Sequence, residues 1–155
     1  MKSLEQVVFR TAHLSDLSAI IRMLNDDVLG SQRESLSTDI SPEYVKAFLE
    51  IDADPNNEII VGSIDDALVS VLQMTYIPNL TLKGTKRVLI EGVRVSSDFR
   101  GQGLGQKFFD YAFNRAKERG CHLAQLTTNK SRVEAIHFYE KLGFISTHEG
   151  MKRDI

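Results

Sequence analysis

Six residues, Arg100-Gly101-Gln102-Gly103-Leu104-Gly105, constrain this chain more than any other stretch. They stand between Arg87–Val95, which alternates as a strand does, and a segment whose Phe108, Phe109, Ala112, Phe113 and Ala116 recur at helical spacing. A strand that turns through glycines into a helix leaves backbone N–H groups uncovered. The four orphan N–H groups of a helix start, with a macrodipole of about half a positive charge, suit phosphate oxygens. Two other phosphate motifs fail on the same letters. A dinucleotide fingerprint needs Gly-x-Gly-x-x-Gly, and Gln106 stands where the third glycine belongs. A P-loop needs Gly-Lys-Ser/Thr, and Gln106 follows Gly105. The spacing that remains is Arg-x-x-Gly-x-Gly.

That segment lies in the basic part of the chain. Residues 1–82 carry 5 Lys and Arg against 13 Asp and Glu, a charge of −8, whereas residues 83–132 carry 11 against 4, a charge of +7. Over 155 residues the net charge is only −2. One stretch therefore suits an anionic ligand and another a cation. The length and the 42% apolar content predict one globular domain over 1–155 that holds its core without staples. A lone cysteine, Cys121, forms no internal disulfide, and with four scattered histidines it gives no metal-site spacing. Uninterrupted apolar runs stop at three or four residues, as at Ile59–Gly62, against the roughly 20 a membrane span needs. The opening residues lack the apolar core of a signal peptide. These observations lead us to expect a cytoplasmic protein with no membrane segment and no metal.

Around the turn the chain reads as one mixed α/β unit. Val7–Arg10 is a short strand, followed by a helix from Ser15, its expected cap, with Leu17, Ile20, Ile21 and Leu24 on one face. Ser41-Pro42-Glu43 opens a second helix with Tyr44, Val45, Phe48 and Leu49 as its stripe. Glu58–Ile64 and Leu68–Tyr76, separated by Asp65-Asp66, form a hairpin, and Arg87–Val95 is a third strand of the meander. In that third strand Leu89, Glu91, Val93 and Val95 are expected on one face. The helix after the glycine turn ends at Arg119-Gly120, Leu123–Thr127 is a further strand, Arg132–Leu142 a helix, and Phe144 leads into a final edge strand. An antiparallel meander followed by strand, helix, strand, helix indicates a mixed α/β sandwich.

These letters resemble the GNAT superfamily of acyl-CoA-dependent N-acetyltransferases. Ile90-Glu91-Gly92-Val93-Arg94-Val95 with Phe99 to Gly105 is similar to the family's signature strand, pyrophosphate turn and helix. Ala135 to Phe144, containing His137-Phe138-Tyr139, is similar to its second signature, and Phe9-Arg10-Thr11-Ala12 with Asp16-Leu17 to its usual opening. The resemblance implies a mostly antiparallel mixed sheet flanked by helices, with a splay between the fourth and fifth strands that admits pantetheine. It implies acetyl-CoA as co-substrate, with Val93 and Val95 offering backbone groups to pantetheine and Arg100, Gly101, Gln102, Gly103, Leu104 and Gly105 holding the diphosphate. Arg132, Lys130 or Lys107 would meet the adenosine-side phosphate. Arg132 stands where many relatives have asparagine.

Acetyl transfer to an amine requires a neutral nitrogen and a proton for the departing thiolate, and no enzyme nucleophile. Cys121 and His122, as neighbours at a strand start, point to opposite faces and make no ready dyad. The resemblance gives the thiolate's proton to Tyr139, whose ring also has packing neighbours at helical spacing. Glu91 is the candidate base, directly or through water; burial there would raise a carboxylate's affinity for a proton. The family places the acceptor against the first two helices and their loop, which here carry Asp26, Asp27, Glu34, Asp39 and Glu43. That implies a small cationic amine such as a polyamine or amino sugar, with a peptide amine and a homodimer left open. The rival is a non-catalytic acyl-CoA-binding or transcription-regulatory module. Direct nucleic-acid binding is disfavoured by the net charge and the lack of a basic recognition helix.

Overall fold

A computed structural model of the chain describes residues 4–34 and 39–155. Residues 4–125 contain a five-stranded sheet whose strands follow chain order, β1 (Val8–Thr11), β2 (Asn57–Ile64), β3 (Ala67–Ile77), β4 (Arg87–Val95) and β5 (Leu123–Gln125). The first four are antiparallel neighbours, and β4 and β5 run parallel. This is the mixed, mostly antiparallel sheet expected. The β2–β3 hairpin turns on Asp65 and Asp66, both at positive φ (48° and 63°), a conformation that aspartate tolerates and that matches the twist of two-residue hairpins.

Each face of the sheet is covered by helices chosen by apolar spacing. On one face α1 (Leu17–Asn25) and α3 (Pro42–Ala53) bury Leu17, Ile20, Ile21 and Phe48 against Ala12, Val61 and Val71. On the other lies α5 (Leu104–Glu118), with Leu104, Phe108, Phe109 and Ala112 fully buried. Each such side chain contributes about 1.5–3 kcal/mol on burial, Ala112 less. Phe9 of β1 stacks on Phe108 with ring centres 5.1 Å apart. Helix α5 ends in a glycine cap: Gly120 takes a left-handed φ of 76°, and the N–H groups of Gly120 and Cys121 bond Lys117 and Ala116 carbonyls.

Burial also encloses one charge. Glu58 on β2, 8% exposed, accepts from Arg115 of α5 through both oxygens at 3.0 and 2.9 Å, and from the Tyr76 hydroxyl. Burial pushes its carboxyl up, but the Arg115 and Tyr76 bonds outweigh that and hold it below the ordinary range. Tyr76 is pushed up by the same burial and by Glu58. Arg119 lies over the Tyr76 ring, 4.4 Å from its centre.

Several boundaries differ from the sequence reading. The first helix is preceded by a 3-10 turn, Leu14–Asp16, so Ser15 is not its cap; Asp16 accepts instead from the His13 N–H at 2.8 Å and from Arg10 at 2.7 Å. An additional short helix, α2 (Val28–Arg33), starts at Asp27, whose side chain accepts from the Gly30 N–H at 2.5 Å. The β3–β4 connection contains α4 (Thr81–Gly84), a tight turn with Leu82 and Lys83 in left-handed conformation.

Residues 126–155 form a second compact unit, containing α6 (Val133–Lys141), ended by Gly143 at φ 92°. The expected final edge strand is absent among the described residues. After Phe144 the only apolar side chains are Ile145, Met151 and Ile155, all exposed, so no alternating face exists to be buried. No helix of the described residues is long and apolar enough to cross a membrane.

Candidate functional site

The glycine turn is built as its spacing requires. β4 passes through a 3-10 turn, Ser97–Phe99, and an extended Arg100 into Gly101 (φ 74°) and Gly103 (φ 94°), and Gly103 is the residue from which α5 starts. Both glycines are exposed, and a Cβ on either would meet nothing within 4 Å. Glycine is needed there for left-handed backbone and open approach, and packing makes no demand. The first N–H groups of α5 have no intrahelical partner and emerge beside this surface. Gln102 closes the loop by donating from Nε2 to the Asp98 carbonyl at 2.6 Å. Leu104 is buried in the core with Ile64 and Val69, so only its backbone faces the turn, and Gly105 lies half-buried in the first helical turn. The cradle fits a diphosphate.

β4 supplies the adjoining edge. β5 pairs only with Arg87, Val88 and Leu89, so from Ile90 to Val95 that edge has no parallel partner among the described residues, a length of about 20 Å. Within it the strand is bulged. Gln73 opposes Glu91 and Val71 opposes Arg94, so Gly92 and Val93 together face one residue of β3, with Gly92 at φ 61°. The bulge corrects the expected face assignment. It turns Val95 to the α5 side, where it packs near Leu104, and brings Arg94 onto the face of Glu91. Glu91 is exposed, so the expectation of a buried carboxylate is not met. The carbonyls of Val93 and Val95 both accept from arginines, Arg94 Nη1 at 2.9 Å and Arg100 Nε at 3.0 Å.

Those arginines reach the connection between α1 and α2. Arg94 Nε lies 3.4 Å from Asp27 Oδ2, and Arg100 Nη2 lies 3.4 Å from Asp26 Oδ2 and from the Asp26 carbonyl. Two of the five carboxylates expected to rim an acceptor pocket are therefore matched by the chain's own cations. Glu34 accepts from the Tyr44 hydroxyl and Glu43 from the Ser41 hydroxyl, each at 2.5 Å. Residues 35–38 of that loop lie outside the described residues. Arg94 and the partner role of Asp26 were missed from sequence. Their signal was the opposite charge of the two segments, which names no pairs.

In the second unit Tyr139 sits on α6, half-buried, its ring 5.6 Å from Phe138 and edge-on to Phe144 at 6.0 Å. Ring packing is thus present, with Phe138 and Phe144 as the partners. Arg132 stands at the start of α6 and is half-buried, with its N–H on the Asn129 carbonyl at 2.9 Å. Exposed Lys130 pairs with Glu149 at 3.3 Å. In the first unit Lys107 donates to the Leu4 carbonyl at 3.3 Å.

The sequence profile of the Acetyltransferase (GNAT) family matches residues 23–144, a span that takes in β4, the glycine turn and α6. The chain belongs to the GNAT family. Among solved structures, this GNAT chain is 49% identical to a transcriptional regulator from Bacillus halodurans C-125, with a TM-score of 0.92 over 96% of this chain and 99% of that one. It is 30% identical over 93 residues, 60% of its length, to a streptothricin acetyltransferase from Streptomyces lavendulae. It is 38% identical over 55 residues, 36% of its length, to an uncharacterized N-acetyltransferase from Methanocaldococcus jannaschii. The GNAT chain spans 46% and 24% of the lengths of these two curated relatives.

Proposed function

We propose that this chain transfers an acetyl group from acetyl-CoA to a primary amine of a small, cationic acceptor by direct attack, in the cytoplasm and as one acetyltransferase domain. The observation that carries the reading is the open turn at Gly101 and Gly103, continuous with the β4 edge that β5 leaves uncovered after Leu89 and with the N-terminus of a 15-residue helix. Backbone N–H groups from Gly101 to Gly105 hold the diphosphate, and the Val93 and Val95 backbone pairs with pantetheine by strand addition. Arg132 meets the adenosine-side phosphate. The co-substrate supplies an activated acetyl thioester.

The chain's residues then manage protons. Glu91, exposed just before the bulge, takes the proton that the attacking amine must lose, directly or through one water. The Tyr139 hydroxyl donates its proton to the sulfur that leaves, so the reaction ends with a neutral amide and a neutral thiol. The streptothricin-named relative supports a small-molecule acceptor.

A second reading has one observation in its favour: the 49%-identical structure is described as a transcriptional regulator. Thiol release from acetyl-CoA, followed across cationic, neutral and anionic amines, separates the two. Turnover with a cationic amine is expected. Coenzyme binding with no turnover across the panel favours the regulatory module, and turnover confined to neutral or anionic amines removes the cationic acceptor.

A further inference from the structure

Arg100 begins the anion turn, and its side chain is held on three groups. Its Nε donates to the Val95 carbonyl at 3.0 Å, and its Nη2 lies 3.4 Å from both the main-chain carbonyl and the carboxylate of Asp26. Next to it Arg94 makes a pair of equal length with Asp27. The two pairs differ in setting. Arg94 and Asp27 are 14% and 26% exposed, and Asp27 is fixed by capping α2. Arg100 and Asp26 are 51% and 56% exposed. An exposed pair is screened by water and is readily exchanged, whereas the enclosed, capped pair is held.

We propose that Asp26 competes with the coenzyme for Arg100, and so sets coenzyme affinity and couples the α1–α2 connection to the anion turn. The inference rests on the turn being the diphosphate site. A diphosphate at Gly101–Gly103 carries more charge than one carboxylate and accepts a guanidinium through two oxygens, so it draws Arg100 off Asp26. The Arg94–Asp27 pair stays, so the connection keeps its tie to β4 and loses its tie to the turn. Asp26 touches no coenzyme atom in this scheme and acts only through Arg100. Because binding couplings are reciprocal, whatever loosens Asp26 from Arg100 tightens the coenzyme.

Calorimetric titration of the full chain with coenzyme A tests this on five proteins: wild type, Asp26→Asn, Asp26→Ser, Arg100→Gln and the Asp26→Asn, Arg100→Gln double variant. Asp26→Asn should bind about two- to fivefold more tightly than wild type, the range an exposed ion pair allows. Asp26→Ser should behave alike. In the Arg100→Gln background the Asp26 substitution should change nothing. A merely structural role for Asp26 predicts the opposite sign, since damage weakens binding. Unchanged or weaker binding by both Asp26 variants, or the same tightening without Arg100, overturns the proposal. Absence of coenzyme binding to the wild type sinks the diphosphate site itself, a separate result.

Discussion

A carboxylate that accepts a proton and a phenol that gives one ask different things of their surroundings, and Glu91 and Tyr139, the proposed base and acid, stand in different ones. Glu91 stands exposed on the face that the Gly92 bulge shares with Arg94, whereas the Tyr139 ring is fixed between Phe138 and Phe144. A ring held on two sides presents its hydroxyl with little rotational freedom, which suits proton delivery at one atom. Tyr139→Phe keeps that packing and removes the proton. It should lower kcat about 100-fold or more while the dissociation constant for coenzyme A moves less than about twofold. Steady-state kinetics paired with calorimetry reads the two separately, and an unaltered kcat rejects the acid role.

At the scale of elements, the proposed coenzyme site is a junction between a bulged strand and the start of a helix. Gly103 carries that junction because α5 begins from a left-handed residue. Valine there would suffer both the penalty of left-handed backbone, about 1–2 kcal/mol, and a branched side chain over the N–H groups of the first turn. Gly103→Val is therefore expected to weaken coenzyme A binding at least tenfold in calorimetry. Affinity equal to wild type would show that the turn does not hold the diphosphate. The glycine turn was legible because its spacing is local: strand, Arg-x-x-Gly-x-Gly and amphipathic helix follow one another without a long-range partner. The bulge at Gly92 and Val93 was not, because alternation assigns faces only while the register is unbroken. One extra residue opposite Leu72 reverses every side chain after it, as Val95 and Arg94 illustrate.

Across the whole molecule, the acidic first segment and the basic middle one neutralise each other in part. Asp26 with Arg100, Asp27 with Arg94 and Glu58 with Arg115 each pair a carboxylate of residues 1–82 with a cation of residues 83–132. Of these, Glu58 bears on global stability, since leaving Arg115 beside a buried neutral group removes a bidentate bond. Glu58→Gln should cost about 2–4 kcal/mol in denaturant unfolding at pH 7. Its carboxyl is held below the ordinary value of 4.5 in the folded chain, so the unfolded chain binds the extra proton first as pH falls. The stabilisation is thus complete above about pH 4.5 and fades below it, and the gap between wild type and variant should narrow in acid. A gap that stays constant down to pH 3 would show that Glu58 acts by shape and not by charge.

The order of the five strands and of helices α1, α3, α5 and α6, the hairpin at Asp65-Asp66, the glycine turn and the family followed from sequence alone, because each rests on spacing within about a dozen residues. Which face each β4 residue takes, which carboxylates are already partnered and where the chain stops being strand were decided only in three dimensions. Register, burial and ion pairing join residues as far apart as Asp26 and Arg100. Composition records that such charges exist, and only the folded chain determines which of them meet.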